Sequence, residues 1–156
     1  MSALHFSQLP EPLHPLLDKF YRAQRSPMRA ASGAQLWVAK EVEIIAGLSL
    51  RLLDAGFWLT GLLVDQDRQN QGLARGLIAH VQRQCGRAIW LFCHPDLEGF
   101  YARSGFSVAA DLPYELCEKL VRYQRSKPLI ALQWQPDQNN VGSEVLRVEG
   151  VIASKS

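Results

Sequence analysis

Apolar side chains recur along this chain with two different periods, and the switches between them mark out its elements. Leu13, Leu16, Leu17, Phe20 and Tyr21 repeat at helical spacing, which predicts a first helix from about Pro12 to Arg25. Ser26-Pro27 closes it, because the residue before a proline avoids the helical region. Gln35 to Lys40 and Glu43 to Leu53 are rich in aromatic, β-branched and aliphatic residues around a short polar break, the pattern of an antiparallel hairpin. Asp54-Ala55-Gly56 supplies the next turn, and Phe57 to Val64 reads as a third strand.

A polar loop follows Val64, and helical periodicity then resumes. Leu73, Leu77, Val81 and Cys85 lie four residues apart with Ala74 and Ile78 beside them, while Arg75, Gln82 and Arg83 fall elsewhere, so one stripe faces a core and Gly86 ends the helix. Ala88 to Cys93 is almost wholly apolar, as expected of a strand covered on both faces in mid-sheet. Asp96 is placed to cap a helix containing Leu97, Phe100 and Tyr101, which Gly105 terminates. A further helix is expected from about Leu112 to Gln124 and a last strand from Leu129 to Trp134. This order predicts an α/β fold with a mixed, mostly antiparallel central sheet and helices on both faces. Residues 1–134 are expected to form one domain, and 135–156, polar and turn-rich, a mobile tail or an added edge strand.

Composition narrows the function classes. At 156 residues, 47% hydrophobic and 21% charged, the chain is globular and large enough to bury a core without staples. A net charge of +2 gives no reason to expect a nucleic-acid or anionic-lipid partner. The N-terminus lacks the pattern of a secretory signal, and the longest apolar candidate for a span, Ile44 to Leu53, is broken by Ser49 and Arg51, so no membrane association is expected. Cys85, Cys93 and Cys117 are odd in number and without metal-ligand spacing; reduced thiols, a cytoplasmic location and no metal are the expectation.

The candidate chemistry lies where the third strand opens into the second amphipathic helix. The first N–H groups of a helix lack intrahelical partners and, with the macrodipole, favour phosphate oxygens. Gly72, without a Cβ, allows a bulky diphosphate close to the main chain. The pattern Gln69-x-x-Gly72-x-Ala74 after a strand resembles the acyl-CoA-binding motif of the GNAT superfamily of N-acetyltransferases. Phe100-Tyr101-Ala102-Arg103-Ser104-Gly105-Phe106 is similar to that family's downstream helix-to-strand motif, and together the two cover about Phe57 to Phe106. Two positions depart from the pattern: His94 stands where many members have Asn, and Gln69 where Arg is frequent, a lost cation that Arg68 or Arg75 could replace.

The resemblance implies a GNAT-like (acyl-CoA N-acyltransferase) fold and transfer of an acetyl group from acetyl-CoA, as co-substrate, to a primary amine of a small molecule or protein by direct attack in a ternary complex. It implies that Leu62, Leu63 and Val64 bind the pantetheine arm through main-chain groups. Gln69, Asn70, Gln71, Gly72, Leu73, Ala74 and Arg75 would form the diphosphate site. Tyr101 would protonate the departing sulfur, His94 or Asp65 would accept the amine proton, and an N–H near Leu63 or Val64 would polarise the thioester carbonyl.

Each residue also has a plainer reading. Tyr101 could be a packed aromatic, His94 before Pro95 a strand-end residue, Asp65 a loop solubiliser and Gly72 an ordinary helix-start glycine. Cys93 beside His94 suggests a thiol nucleophile, but adjacent strand residues point to opposite faces, which favours direct transfer. Trp37, Trp58 and Trp90 are candidates for an aromatic wall at the acceptor, although core packing is the ordinary fate of at least two of them. Arg122, Arg125 and Lys127 around Tyr123 read as a solvated helix end complementary to the dipole. A non-catalytic acyl-CoA-binding sensor or regulatory module is the alternative function, and a P-loop enzyme is disfavoured because no Gly-Lys-Ser/Thr follows the glycine. A homodimer, through an exposed sheet edge or an exchanged tail, is one arrangement the pattern allows.

Overall fold

The computed structural model describes residues 3–136. Strands β1 (His5–Gln8), β2 (Gln35–Lys40), β3 (Ile44–Leu52), β4 (Gly56–Val64), β5 (Ala88–Cys93), β6 (Ser107–Val108) and β7 (Ile130–Trp134) form one sheet in the order β1-β2-β3-β4-β5-β7-β6. Helices α1 (Pro15–Ala23), α2 (Leu73–Cys85), α3 (Glu98–Ala102) and α4 (Tyr114–Tyr123) connect them. Every neighbouring pair is antiparallel except β4 and β5.

Strand alternation sorts the side chains onto two layers. Trp37, Leu48, Leu50, Leu59, Ile89 and Leu91 project to one face, where they meet Leu73, Leu77, Ile78 and Val81 of α2 and Tyr101 of α3. On the other face, Leu36 and Val38 of β2 pack with Leu17, Phe20 and Tyr21 of α1, and Trp90 of β5 packs with Leu116 of α4. The expected helices on both faces and the mostly antiparallel sheet are therefore present. Leu73, Leu77, Ile78 and Val81 are the buried stripe of α2 that its spacing predicts, and Gly86, in the left-handed conformation, ends it.

The structure corrects several local expectations. The first helix begins only at Pro15, because Glu11–Leu13 form a separate 3-10 turn, and it ends at Ala23. The last helix is Tyr114–Tyr123, shorter at both ends than expected. Asp96 does not cap the helix bearing Tyr101: His94 occupies the cap of the preceding 3-10 turn, its Nδ1 accepting from the Asp96 N–H at 3.1 Å. β1 and β6, both at sheet edges, are additions to the sequence reading. The tail expectation falls almost entirely on residues outside the described ones, apart from Gln135 and Pro136.

Candidate active site

Among the described residues, the only parallel pairing is also the shortest relative to its strands. β4 and β5 pair over Gly56–Trp58 and Ala88–Trp90 alone, after which the two strands separate. Leu59 to Val64 thus carry a free main-chain edge toward β5, while their other edge stays paired to β3, and Leu91 to Cys93 pair only with β7. Gly61 marks a bulge within this stretch: the β3 register shifts between Gly47 and Ser49, and Gly61 has φ +69°. A Cβ on Gly61 would sit 2.8 Å from Tyr21 Oη, which donates a 2.6 Å hydrogen bond to the Gly61 carbonyl. α1 therefore pins the bulge from the opposite face.

Beyond Val64 the chain makes a 3-10 turn, Gln66–Arg68, capped by Asp65, whose Oδ1 accepts from the Asp67 N–H at 2.9 Å. Asn70 (φ +65°) and Gly72 (φ +78°) then take left-handed conformations that swing the chain into α2. No side chain caps α2. The first recorded closure is Gly76 N–H to Gly72 O at 2.9 Å, so the N–H groups of Leu73, Ala74 and Arg75 have no partner among the described residues. Nothing lies within 4 Å of where a Gly72 Cβ would be, so the approach to these donors is clear.

A cavity of about 320 Å³ opens over this helix start, lined by Val64, Arg68, Gln69, Asn70, Gly72 and Leu73 together with Ala74, Arg75, Phe100 and Arg103. A larger hollow of about 510 Å³, bordered by Gln8, Glu11, His14 and Gln35, lies toward the opposite end of the strands and shares none of these groups. Of the two cations expected to replace the one absent at Gln69, Arg68 is paired with Glu41 and Arg75 borders the cavity. Sequence reasoning missed Arg103; its position one turn after Phe100 in the second motif was the available signal.

Tyr101 stands on the same face as α2, beside the last β5 residue on that side, Cys93. Its ring meets Phe100 edge to face at 4.9 Å and Phe106 at 5.8 Å. Burial, with a smaller contribution from Cys93, pushes its hydroxyl pKa up to about 12. That hydroxyl is bonded to no described residue, yet it is not sealed away. Burial likewise raises the Cys93 thiol, so it stays protonated and is a poor nucleophile at neutral pH. His94 is half exposed beyond the end of β5, with its Nδ1 lone pair engaged as a cap. The structure thus gathers Val64, Gln69, Asn70 and Gly72 to Arg75 around one cavity, leaves Leu62, Leu63 and Gln71 out of its lining, and packs Tyr101 on the same face of the sheet, with Asp65 and His94 following the free ends of the two parted strands.

A model of the Acetyltransferase (GNAT) domain matches residues 11–122, most of the chain. The chain belongs to the GNAT acetyltransferases. No curated protein sequence matches it significantly. Among solved structures, a GNAT-family acetyltransferase from Staphylococcus aureus Mu50 superposes with a TM-score of 0.60 at 16% identity, covering 86% of this chain and 100% of that one. The ribosomal-protein-S18-alanine N-acetyltransferase of Escherichia coli gives 0.57 at 15%, with 86% and 94% covered. The N-acetylglutamate synthase of Neisseria gonorrhoeae, solved with coenzyme A and N-acetylglutamate, gives 0.64 at 14%, covering 87% of this chain and 36% of that one. At these identities the likeness establishes the GNAT fold. Among the described residues no helix is long and apolar enough to cross a membrane, and no three His, Cys, Asp or Glu side chains are grouped to hold a metal ion.

Proposed function

We propose that this GNAT protein is an N-acetyltransferase that uses acetyl-CoA to acetylate a primary amine by direct attack within a ternary complex. The observation that carries the reading is the parting of β4 from β5 immediately before an uncapped helix start. A free strand edge can take an extended amide-bearing arm as a further strand, and free helix N–H groups beside Arg75 can take a diphosphate. The residues present fit coenzyme A: Leu62, Leu63 and Val64 supply main-chain groups for the arm, and Gln69 to Arg75 the anion site. Bound there, acetyl-CoA supplies an activated acyl carbon.

The amine must arrive as its free base. For a lysine-like amine at pH 7 that costs roughly 4–5 kcal/mol, so a proton acceptor is required. Asp65 and His94 are the assigned candidates, and they differ in readiness. His94 Nδ1 already accepts from the Asp96 N–H, so a neutral ring has its proton on Nε2 and must give up the cap to act as base. Asp65 uses one carboxylate oxygen as a cap and keeps the other. The Asp65 N–H bonds Ile45 O on the β3 side at 2.8 Å, and because successive peptide groups alternate edges, the Val64 N–H is turned toward the opening. That N–H is the one we assign to the thioester oxygen. The nitrogen forms the C–N bond, the C–S bond breaks, the sulfur takes a proton from Tyr101, which its raised pKa keeps available, and the second proton lost by the nitrogen returns to the tyrosinate.

The test is release of free thiol from acetyl-CoA across a panel of amines, alongside direct measurement of coenzyme A binding. Turnover supports the transferase reading. Binding without turnover on any amine would make the protein an acyl-CoA sensor instead. Asp65→Asn and His94→Gln separate the two candidate bases: the true one removes the ascending limb of the pH profile.

A further inference from the structure

On the face opposite the anion cradle, the parted strands border a wall of aromatic rings flanked by cations. Trp58 is the last β4 residue paired with β5, and Phe92 lies two residues beyond Trp90, the last on β5. The Phe92 ring is 5.5 Å from Trp58 and 6.2 Å from Tyr123 at the end of α4. Trp37 and Trp90 are buried in the core, whereas Trp58, Phe92 and Tyr123 all keep exposed surface. Arg51 Cζ and Lys119 Nζ each lie 5.5 Å from the Trp58 ring centre, and Arg122 Cζ lies 5.5 Å from that of Tyr123.

The charges around this wall do not cancel. Arg51, Lys119 and Arg122 stand against Glu115, paired with Arg51, and Glu118, which accepts from Tyr114 Oη at 3.0 Å and keeps its charge, so one positive charge is left over. Among the described residues Lys119 and Arg122 have no ion-pair partner, although both are held against aromatic faces. A polycationic amine is repelled by such a rim, whereas a carboxylate finds two positive groups next to a flat apolar surface.

We infer that this wall binds the acceptor, and that the acceptor is a small amine with an aromatic or apolar body and a carboxylate end. The body rests on Phe92 and Tyr123, the carboxylate is drawn to Lys119 and Arg122, and the amine reaches the opening between β4 and β5. This inference rests on the N-acetyltransferase reading and adds the acceptor's shape and sign of charge. The bonds made and broken are those already given.

The experiment compares phenylalanine, phenethylamine and spermidine as acceptors in acetyl-CoA-dependent thiol release, at equal free-base concentrations. Phenylalanine is expected to exceed both in kcat/KM by about tenfold or more, a preference that shrinks as salt screens the rim. The double variant Lys119→Glu with Arg122→Glu is expected to abolish the preference and leave the coenzyme A Kd within about twofold, because neither residue borders the cradle. Binding is read independently from tryptophan fluorescence: phenylalanine added to the coenzyme A complex changes the emission of the parent chain and not that of Trp58→Phe. Spermidine or phenethylamine turned over as well as phenylalanine, with the double variant unchanged, would overturn the acceptor inference and leave the transferase reading standing. Coenzyme A binding with no thiol release for any amine would overturn both.

Discussion

Two buried tyrosines occupy different positions in this protein's chemistry. Tyr21 donates to the Gly61 carbonyl and holds a bulge, whereas Tyr101 has a hydroxyl that no described residue claims. Tyr101→Phe should lower kcat by about 10–100-fold with little change in coenzyme A affinity, since a lost proton donor acts on departure of the sulfur and not on binding. Thiol-release kinetics together with calorimetry check both halves of that statement. Both hydroxyls have raised pKa values, chiefly through burial, and Tyr101 reaches about 12. The unfolded chain therefore loses these protons near pH 10 while the folded chain still retains them. Stability is full below about pH 10 and falls as pH rises toward 12, with Tyr101 alone accounting for about 2 kcal/mol by pH 11.5. Urea unfolding at pH 9 and pH 11.5 should show that loss in the parent chain and a smaller one in Tyr101→Phe.

The bulge in β4 and the entry to α2 each depend on a glycine in the left-handed region, for different reasons. At Gly61 a methyl group meets Tyr21 Oη at 2.8 Å as well as an unfavourable φ, so Gly61→Ala should cost about 2–3 kcal/mol of stability. The next Tyr21 atom is 3.6 Å away, and Tyr21→Phe should therefore make the two substitutions less than additive in a double-mutant cycle. At Gly72 the space is open, so Gly72→Ala should cost only about 1–2 kcal/mol of stability through its φ, and its methyl should raise the KM for acetyl-CoA by standing in the approach to the N–H groups. Thermal unfolding and initial-rate kinetics separate these effects. Such elements were legible in the sequence to unequal degrees. The stripe of α2 and the apolar run of β5 were plain because burial imposed them, and the two motifs pointed to the helix start. β1 escaped notice because at an exposed edge only Phe6 is partly covered, and β6 because two residues show no period. The Gly61 bulge had one signal, a glycine inside an apolar strand, which fixes neither the register shift nor the tyrosine that pins it.

Across the molecule, the decisive arrangement is one that no local pattern encodes: two parallel strands that pair for three residues and then separate, with the cradle and Tyr101 on one face and an aromatic, cationic wall on the other. Periodicity identified both strands and the order of elements suggested a mixed sheet, but the point at which their pairing ends is a tertiary feature that no local period encodes. Arg103 joined the cavity for the same reason, brought there by the packing of α3 against the sheet. In the proposed reaction, the parting would offer the pantetheine arm a main-chain edge that leads to the free N–H groups of α2. Amide chemical shifts recorded while coenzyme A is titrated into the protein test that arrangement residue by residue. Saturable shifts at Leu62 to Val64 and at Gly72 to Arg75, with Gln8 and Gln35 at the other end of the strands unmoved, are expected; saturation that leaves those two segments unshifted would contradict it.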